Sequence, residues 1–130
     1  MLEAAALCLA MNMYHEARSE GVKAMMAVAE VTLNRVEDSR YPDNVCDVVE
    51  QGYDPGRKDC QFSWYCDGES DTMVNKYWKY KSYELAVDYR TGLDTNFTNG
   101  ATHYHAKYVT PYWADSLEET ARIGSHVFYK

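Results

Sequence analysis

The sequence predicts an α+β domain that is mostly helical, with a small β-sheet formed late in the chain. Three stretches carry apolar residues at steps of three and four, the spacing of a helix face that packs on a core. Three short segments after residue 59 are rich in aromatic residues and lie between turn residues, which is typical of extended chain. The 130 residues suffice for one hydrophobic core, so residues 1–130 are expected to form a single domain.

The first two helices are predicted to meet at a short polar hinge. The first runs from about Leu2 to Ala17, and the second from Val22 to about Val36. Ser19 is the expected N-cap of the second helix, with Glu20 in its first turn. Gly21 would allow a close approach of the backbone at the hinge.

The remaining elements follow from apolar spacing and turn residues. In chain order they are a third helix over Asn44–Gln51 capped by Asp43, a loop over Gly52–Asp59, an extended segment over Cys60–Tyr65, a helix over Val74–Tyr89 stopped by Gly92, a loop over Leu93–Gly100, an extended segment over Ala101–Val109, a short helical turn within Pro111–Ala121, and an extended segment over Ile123–Tyr129. Alternation within Cys60–Tyr65 places Phe62 and Trp64 toward the core.

The amino-acid composition limits the classes of partner that the protein is expected to bind. The formal net charge of −7 argues against binding to nucleic acid or to anionic membrane surfaces. Twelve tyrosines suit a polar, partly wet binding groove, because each ring offers an apolar face and a hydroxyl. No segment is long and apolar enough to span a membrane, and the N-terminus does not have the pattern of a signal peptide.

The four cysteines allow a disulfide but lack the pattern of a zinc site. Cys8 lies in the first helix and is expected to be a small buried apolar residue. Cys46, Cys60 and Cys66 lie near loops, and one pair among them is expected to form a disulfide, leaving two free thiols. No Cys-x-x-Cys pair is present, which disfavours zinc.

Glu16 is the candidate acid. It lies on the last turn of the first helix, in line with Leu9 and Met13, so that its carboxyl group should face the protein interior. Partial burial disfavours the charged form of a carboxyl group and raises its pKa, as a general acid requires. The alternative is a solvated residue or an ion pair with Arg18 or Arg35.

Segments along nearly the whole chain resemble the cell-wall hydrolase family typified by the SleB-type spore-cortex lytic enzymes. They are Met13–Gly21 (Met-Tyr-His-Glu-Ala-Arg-Ser-Glu-Gly), Ala27–Val36, Tyr41-Pro42 with Val45–Val49, Cys60–Trp64, Ala101–Ala106 and Ile123–Tyr129. Ser19 replaces the glycine that is commonest in the family. The Cys-Gln-Phe-Ser and His-Tyr-His segments look more like the phage and Gram-negative branch, with endolysin-like single-domain members.

The resemblance implies a lysozyme-like fold and cleavage of the β-1,4 bond between N-acetylmuramic acid and N-acetylglucosamine. Members of the spore type are lytic transglycosylases, and their catalytic glutamate falls on Glu16. A hydrolytic muramidase is the alternative outcome. No cofactor is expected, and the partner would be peptidoglycan glycan strands, bound by a monomer made in the cytoplasm that reaches the wall after release.

One acid suffices if the substrate supplies its own nucleophile. Most glycosidases use two carboxylates, but Glu20 lies beyond the hinge, where a helix-dipole or arginine-partner role is favoured. The N-acetyl group can stabilise the cation, and the C6 hydroxyl can close a 1,6-anhydro ring. Gln61, Ser63 and Tyr104 are the candidate sugar-binding residues, or else structural hydrogen-bonding groups.

His103 and His105 offer a rival reading. Two residues apart on a strand, they project to one face, where they could line the sugar groove or hold a metal with Glu16 or His126. The metal version would indicate a peptidoglycan amidase or peptidase, although no His-Glu-x-x-His helix is present. A non-catalytic wall-binding or virion protein is a third class, which the retained Glu16 motif disfavours.

Overall fold

Helix α1, Ala4–Ala17, is the centre of the packing because its buried face is apolar except for Asn12. This computed structural model describes residues 2–53 and 60–130. The buried apolar side chains of α1 are those of Ala6, Leu9, Ala10, Met13, Tyr14 and Ala17. Helices α2, Val22–Val36, α3, Val45–Val49, and α4, Lys76–Arg90, pack around it. The predicted mostly helical α+β fold is confirmed.

The hinge between α1 and α2 differs from the prediction. Arg18–Glu20 forms a 3-10 helix, and Gly21, not Ser19, is the N-cap of α2, with no side-chain cap. Gly21 adopts a φ of 95°, a region that a residue without a β-carbon enters at little cost. Glu20 therefore lies before the helix rather than in its first turn.

Asparagines begin the two later helices. Asn44, rather than the predicted Asp43, caps α3 by accepting a hydrogen bond from the Asp47 N–H at 2.9 Å. Asn75 caps α4 by accepting one from the Trp78 N–H at 3.1 Å. An asparagine at the N-cap satisfies a helix N–H that has no partner within the helix.

Helices α1 and α4 run antiparallel. At one end the Asn75 N–H donates to the Tyr14 hydroxyl at 2.9 Å, and at the other Arg90 pairs with Glu3 at 2.7 Å. The start of α4 therefore lies beside the last turn of α1.

The predicted extended segment Cys60–Tyr65 is wrong. A 3-10 helix covers Ser63–Cys66, and a disulfide joins Cys60 to Cys66, whose Cα atoms are 6.0 Å apart. An extended chain over that separation would span about 20 Å, so the bridge and a strand are incompatible. The predicted sides are nevertheless correct for four residues, because Phe62 and Trp64 are buried while Gln61 and Ser63 are exposed.

The sheet has three antiparallel strands in the order β1–β3–β2. Strand β1 is His103–Ala106, β2 is Glu119–Ile123 and β3 is His126–Tyr129, and a 3-10 helix at Ala114–Ser116 confirms the predicted helical turn. The single segment predicted over Ile123–Tyr129 is instead a hairpin that turns at Gly124, where φ is 59°.

Two disulfides are present, and no free cysteine remains among the described residues. One disulfide was predicted among Cys46, Cys60 and Cys66, and the pair that forms is Cys60–Cys66. The expectations of a free Cys8 and of two free thiols are wrong, because the partly exposed Cys8 faces Cys46 from α1 and the bridge fastens α3 to that helix.

Residues 54–59 of the predicted Gly52–Asp59 loop lie outside the described residues. Within residues 2–53 and 60–130, no helix has the length and apolar character needed to cross a membrane.

Candidate active site

A cavity of about 240 Å³ opens where α1, α2, the loop closed by the Cys60–Cys66 disulfide and β1 come together. Its lining combines one carboxylate, one guanidinium, polar groups and aromatic rings. The lining residues are Glu16, Arg35, Gln61, Phe62, Ser63, His103, Tyr104 and Trp113. Four of the five predicted sugar-binding residues therefore surround Glu16.

Glu16 is partly buried at the floor of this cavity. Burial raises the pKa of its carboxyl group, while a hydrogen bond donated by the Tyr104 hydroxyl and the charge of Arg35 act in the opposite direction. The alternative of an ion pair with Arg18 is not observed, since Arg18 donates to the Tyr14 carbonyl instead, at 3.2 Å. Glu16 has the environment that favours a protonated carboxylic acid.

Arg35 is a buried cation beside the acid. Its Nε donates to the Thr102 carbonyl at 2.7 Å, and its guanidinium carbon lies 5.0 Å from the Tyr41 ring centroid and 5.2 Å from that of Phe62. Within the described part of the chain its Nη1 has no hydrogen-bond partner. Burial lowers the pKa of Arg35 from its ordinary value, yet arginine keeps its charge at any physiological pH.

The neighbouring strand in the sheet, β3, supports the Tyr104 ring. Its ring centroid lies 5.5 Å from that of Phe128 and 5.1 Å from that of His126, both on β3. Burial and the nearby Glu16 carboxylate raise the pKa of Tyr104 well above its ordinary value, so the hydroxyl stays protonated and can donate. His126 and Phe128 therefore lie on the same face of β3.

Glu20 belongs to this support rather than to the cavity lining. Its carboxylate accepts hydrogen bonds from the Ser125 N–H, at 2.6 Å, and from the Ser125 hydroxyl, and these bonds lower its pKa. Within residues 2–53 and 60–130, Glu20 has no arginine partner, and it does not lie in the first turn of α2. Glu20 instead ties the β2–β3 turn to the end of α1.

His103 lines the cavity next to Trp113. Its Nδ1 is hydrogen-bonded to the Thr102 hydroxyl at 3.0 Å, its Nε2 to the Tyr41 hydroxyl at 3.3 Å, and its ring centroid lies 5.2 Å from that of Trp113. Burial lowers the pKa of His103, with the charge of Arg35 acting in the same direction. A neutral imidazole is therefore favoured at this wall.

His105 does not reach the lining. It shares the predicted face with His103, since both rings pack near Trp113, but its Nε2 is hydrogen-bonded to the Tyr129 hydroxyl at 2.8 Å and its Nδ1 to the Ala106 carbonyl at 2.8 Å. Within the described ranges, no group of three or more His, Cys, Asp or Glu side chains is arranged to hold a metal.

Three lining residues lacked a sequence signal strong enough to place them. Phe62 was expected only in the core, Arg35 only as a possible ion-pair partner, and Trp113 in a helical turn. All three reach the cavity through contacts between distant segments, which local periodicity does not record.

Comparison with known proteins adds a family to this geometry. The sequence model of the family described as Cell Wall Hydrolase matches residues 19–129, a match that begins after Glu16. The spore cortex-lytic enzyme of Halalkalibacterium halodurans is 31% identical over 92% of this chain and 33% of its own length. That of Oceanobacillus iheyensis is 29% identical over 94% of this chain and 40% of its own length. The chain thus spans well under half of these curated relatives.

Solved structures agree over the whole domain. The catalytic domain of the germination-specific lytic transglycosylase SleB from Bacillus anthracis is 27% identical, with a TM-score of 0.72 over 99% of this chain and 97% of that one. The catalytic domain of the Bacillus cereus SleB protein is 28% identical, with a TM-score of 0.70 over 100% of this chain and 93% of that one. The fold is the lysozyme-like α+β fold of these domains. The family match covers most of the chain, and the chain belongs to the cell wall hydrolase family.

Proposed function

We propose that this domain cleaves the β-1,4 bond between N-acetylmuramic acid and N-acetylglucosamine in peptidoglycan, as a lytic transglycosylase in which Glu16 is the only acid. The observation that carries the proposal is a partly buried carboxyl group with a raised pKa, facing a cavity that no second carboxylate lines among the described residues. The similarity to the Bacillus anthracis lytic transglycosylase domain supports the same reaction.

A single carboxyl group can serve both halves of such a reaction. In the first half Glu16 donates its proton to the glycosidic oxygen as the C1–O bond breaks, and the substrate's N-acetyl group stabilises the positive charge at C1. In the second half the C6 hydroxyl attacks C1 and gives its proton to the Glu16 carboxylate, forming the 1,6-anhydro ring. The Tyr104 hydroxyl and the charge of Arg35 would stabilise that carboxylate between the two steps.

The other lining residues fit roles in sugar binding. Gln61 and Ser63 are exposed on one wall, and His103 and Trp113 form the other. Amide, hydroxyl and imidazole groups can hydrogen-bond sugar hydroxyl and N-acetyl groups, and the indole ring can cover a sugar face. His105 would not contact the sugar itself but would support the Trp113 ring.

Mass spectrometry of digested peptidoglycan tests the reaction. We expect anhydro-muropeptides, and we expect product formation to survive exhaustive chelation of divalent metals. Reducing ends in place of anhydro ends would show a hydrolytic muramidase. Released stem peptides, or activity lost in chelator and restored by zinc, would reject the glycosidase and support the amidase or peptidase reading.

Monomeric, endolysin-like action on the wall after release from the cytoplasm stays a prediction from the sequence. Sedimentation of the purified domain would test whether it is a monomer. Cell fractionation would test whether it acts on the wall after release from the cytoplasm.

A further inference from the structure

Helix α4 presents an exposed face of aromatic and cationic side chains that the proposed reaction does not use. Lys76, Tyr77, Tyr80 and Lys81, here called the tyrosine–lysine face, line a shallow depression of about 330 Å³ with Glu84 at its far end. Tyr77 and Tyr80 are 64% and 62% exposed. Rings so open to water contribute little to the fold, and clustered exposed apolar surface is typical of a binding site.

The residues of this face do not follow from the packing of α4. The helix packs on the core through Ser82, Leu85, Ala86 and Tyr89, which lie on its other side. Small polar residues in place of Tyr77 and Tyr80 would remove exposed apolar area and would not disturb the core. Instead, two exposed rings at a spacing of three residues border the same depression.

The charge of the face is opposite to that of the whole chain. Residues 72–83 contain three lysines and no aspartate or glutamate. Glu84 borders the same depression and pairs with Lys81 at 3.5 Å, so the face carries a small net positive charge in a chain whose formal charge is −7. The third lysine, Lys79, lies with its Nζ 5.9 Å from the ring centroids of Tyr80 and Tyr83. A ligand for this face therefore combines carboxylate groups with apolar ring or CH surface.

The face lies at the catalytic end of the molecule. The Asn75 N–H donates to the Tyr14 hydroxyl at 2.9 Å, and the His15 Nε2 is hydrogen-bonded to the Asp71 carbonyl at 2.9 Å. The contacts tie the start of α4 and the segment that leads into it to the last turn of α1, which carries Glu16. Tyr77 and Tyr80 follow within about 6 Å of the start of α4 along its axis.

We propose that the tyrosine–lysine face is a second binding site for peptidoglycan, with the lysines contacting stem-peptide carboxylates and the tyrosines contacting the sugars of the strand. The inference rests on the proposed function, because a cross-linked polymer is the ligand that could occupy the cavity and this face together. Such a site would hold the domain on the wall and leave the chemistry at Glu16 unchanged. Multivalent attachment of this kind strengthens binding without altering the catalytic cavity.

Co-sedimentation with purified, insoluble peptidoglycan tests the site directly. The parent protein carries Glu16→Gln, so that the wall is not digested during the measurement. The test variants add Tyr77→Ser with Tyr80→Ser, or Lys76→Gln with Lys81→Gln. Matched controls are Val87→Ser with Leu93→Ser, which remove exposed apolar area at the far end of α4, and Lys23→Gln with Lys107→Gln, which remove exposed lysines elsewhere.

Each test variant should weaken binding to the wall by about fivefold or more, whereas the controls should bind as the parent does. The lysine effect should disappear on glycan strands whose stem peptides have been removed, and the tyrosine effect should persist. Equal binding by test and control variants would overturn the proposal, as would a parent that binds vesicles of anionic phospholipid but not the wall. Product analysis of the wild-type protein separates this outcome from a failure of the proposed reaction.

Discussion

At the scale of single residues, two influences on the Glu16 carboxyl group oppose each other. Burial favours the protonated acid, whereas the Tyr104 hydroxyl and the charge of Arg35 favour the carboxylate. A group that must donate a proton and then recover one works best when neither state is strongly preferred at the working pH. Tyr104 is the neighbour whose influence can be removed with the smallest change in shape.

Tyr104→Phe removes the hydroxyl that donates to Glu16 and leaves the ring packed on Phe128. Loss of that bond destabilises the carboxylate, so the pKa of Glu16 should rise further. The proton donor would then persist to higher pH. In a pH profile of kcat/KM on soluble peptidoglycan fragments, the fall in activity at high pH should move to higher pH.

Tyr129→Phe is the matched control, because the Tyr129 hydroxyl bonds to His105 and does not reach the cavity. Its pH profile should match that of the wild type. A Tyr104→Phe profile that is unmoved, or that moves to lower pH, would contradict the assignment of Glu16 as the acid that Tyr104 tunes.

At the scale of elements, Glu30 of α2 holds the loop that leads into β1. Its buried carboxylate accepts hydrogen bonds from the Thr95 hydroxyl at 2.7 Å, the Phe97 N–H at 2.9 Å, and the N–H and hydroxyl of Thr98 at 2.9 and 2.8 Å. Four residues beyond Thr98 the chain reaches the Thr102 carbonyl that Arg35 contacts. Glu30 thereby helps to position the strand that carries Tyr104.

Glu30→Gln replaces a charged acceptor with a neutral amide that cannot accept from all four donors. Because hydrogen bonds to charged groups are stronger than those to neutral ones, we expect the free energy of unfolding to fall by about 2–3 kcal/mol. Urea unfolding followed by circular dichroism measures it. Glu37→Gln, at an exposed position, should change stability by less than about 0.5 kcal/mol; equal effects at both positions would show that Glu30 does not hold the loop.

Helices proved easier to predict than strands in this chain. Each long helix has an apolar face that repeats along its own sequence, so α1, α2 and α4 were predicted to within three residues at either end. The hairpin was missed because Glu119–Ile123 is only partly buried and lacks clear alternation, and because Gly124 interrupts what reads as one extended segment. The Cys60–Tyr65 segment was predicted as extended because the sequence leaves open which of the three cysteines pair, and only a Cys60–Cys66 bridge excludes a strand there.

The residues of the candidate site also fall into two groups, those that could be predicted from the sequence and those that depend on long-range contacts. Glu16 could be predicted because its helix fixes the direction of its side chain, and His103 because a strand directs it and His105 to one face. Gln61, Ser63 and Tyr104 were candidates as polar groups in segments that resemble those of a known family. Trp113 could not, since only the folding of the chain after β1 brings its ring beside His103. The position of His105 outside the lining depends likewise on a long-range partner, Tyr129.

At the scale of the whole molecule, two disulfides link the elements around the site. Cys8–Cys46 joins α1 to α3 across 38 residues, and Cys60–Cys66 closes a short loop that contains Gln61 and Ser63. Cross-links act mainly by limiting the unfolded chain, and the effect grows with the length of the closed loop. The first bridge should therefore stabilise the domain more than the second.

The oxidised protein, denatured without reductant, should show no free thiol in a colorimetric thiol assay. Cys8→Ser with Cys46→Ser should lower the free energy of unfolding by about 4 kcal/mol, and Cys60→Ser with Cys66→Ser by about 2 kcal/mol. Urea unfolding measures both. Two free thiols would show that only one bridge forms, and a larger loss from the short loop would contradict the ranking.

The most direct test of Glu16 as the acid is the rate at which folded Glu16→Gln protein releases soluble fragments from purified peptidoglycan. Glutamine keeps the shape of the side chain but has no proton to donate. The rate should fall by at least about a hundredfold relative to wild type, as expected when a general acid is removed. Glu37→Gln should match the wild type, and circular dichroism should show that both variants are folded. Release by folded Glu16→Gln protein at more than about a tenth of the wild-type rate would contradict the assignment.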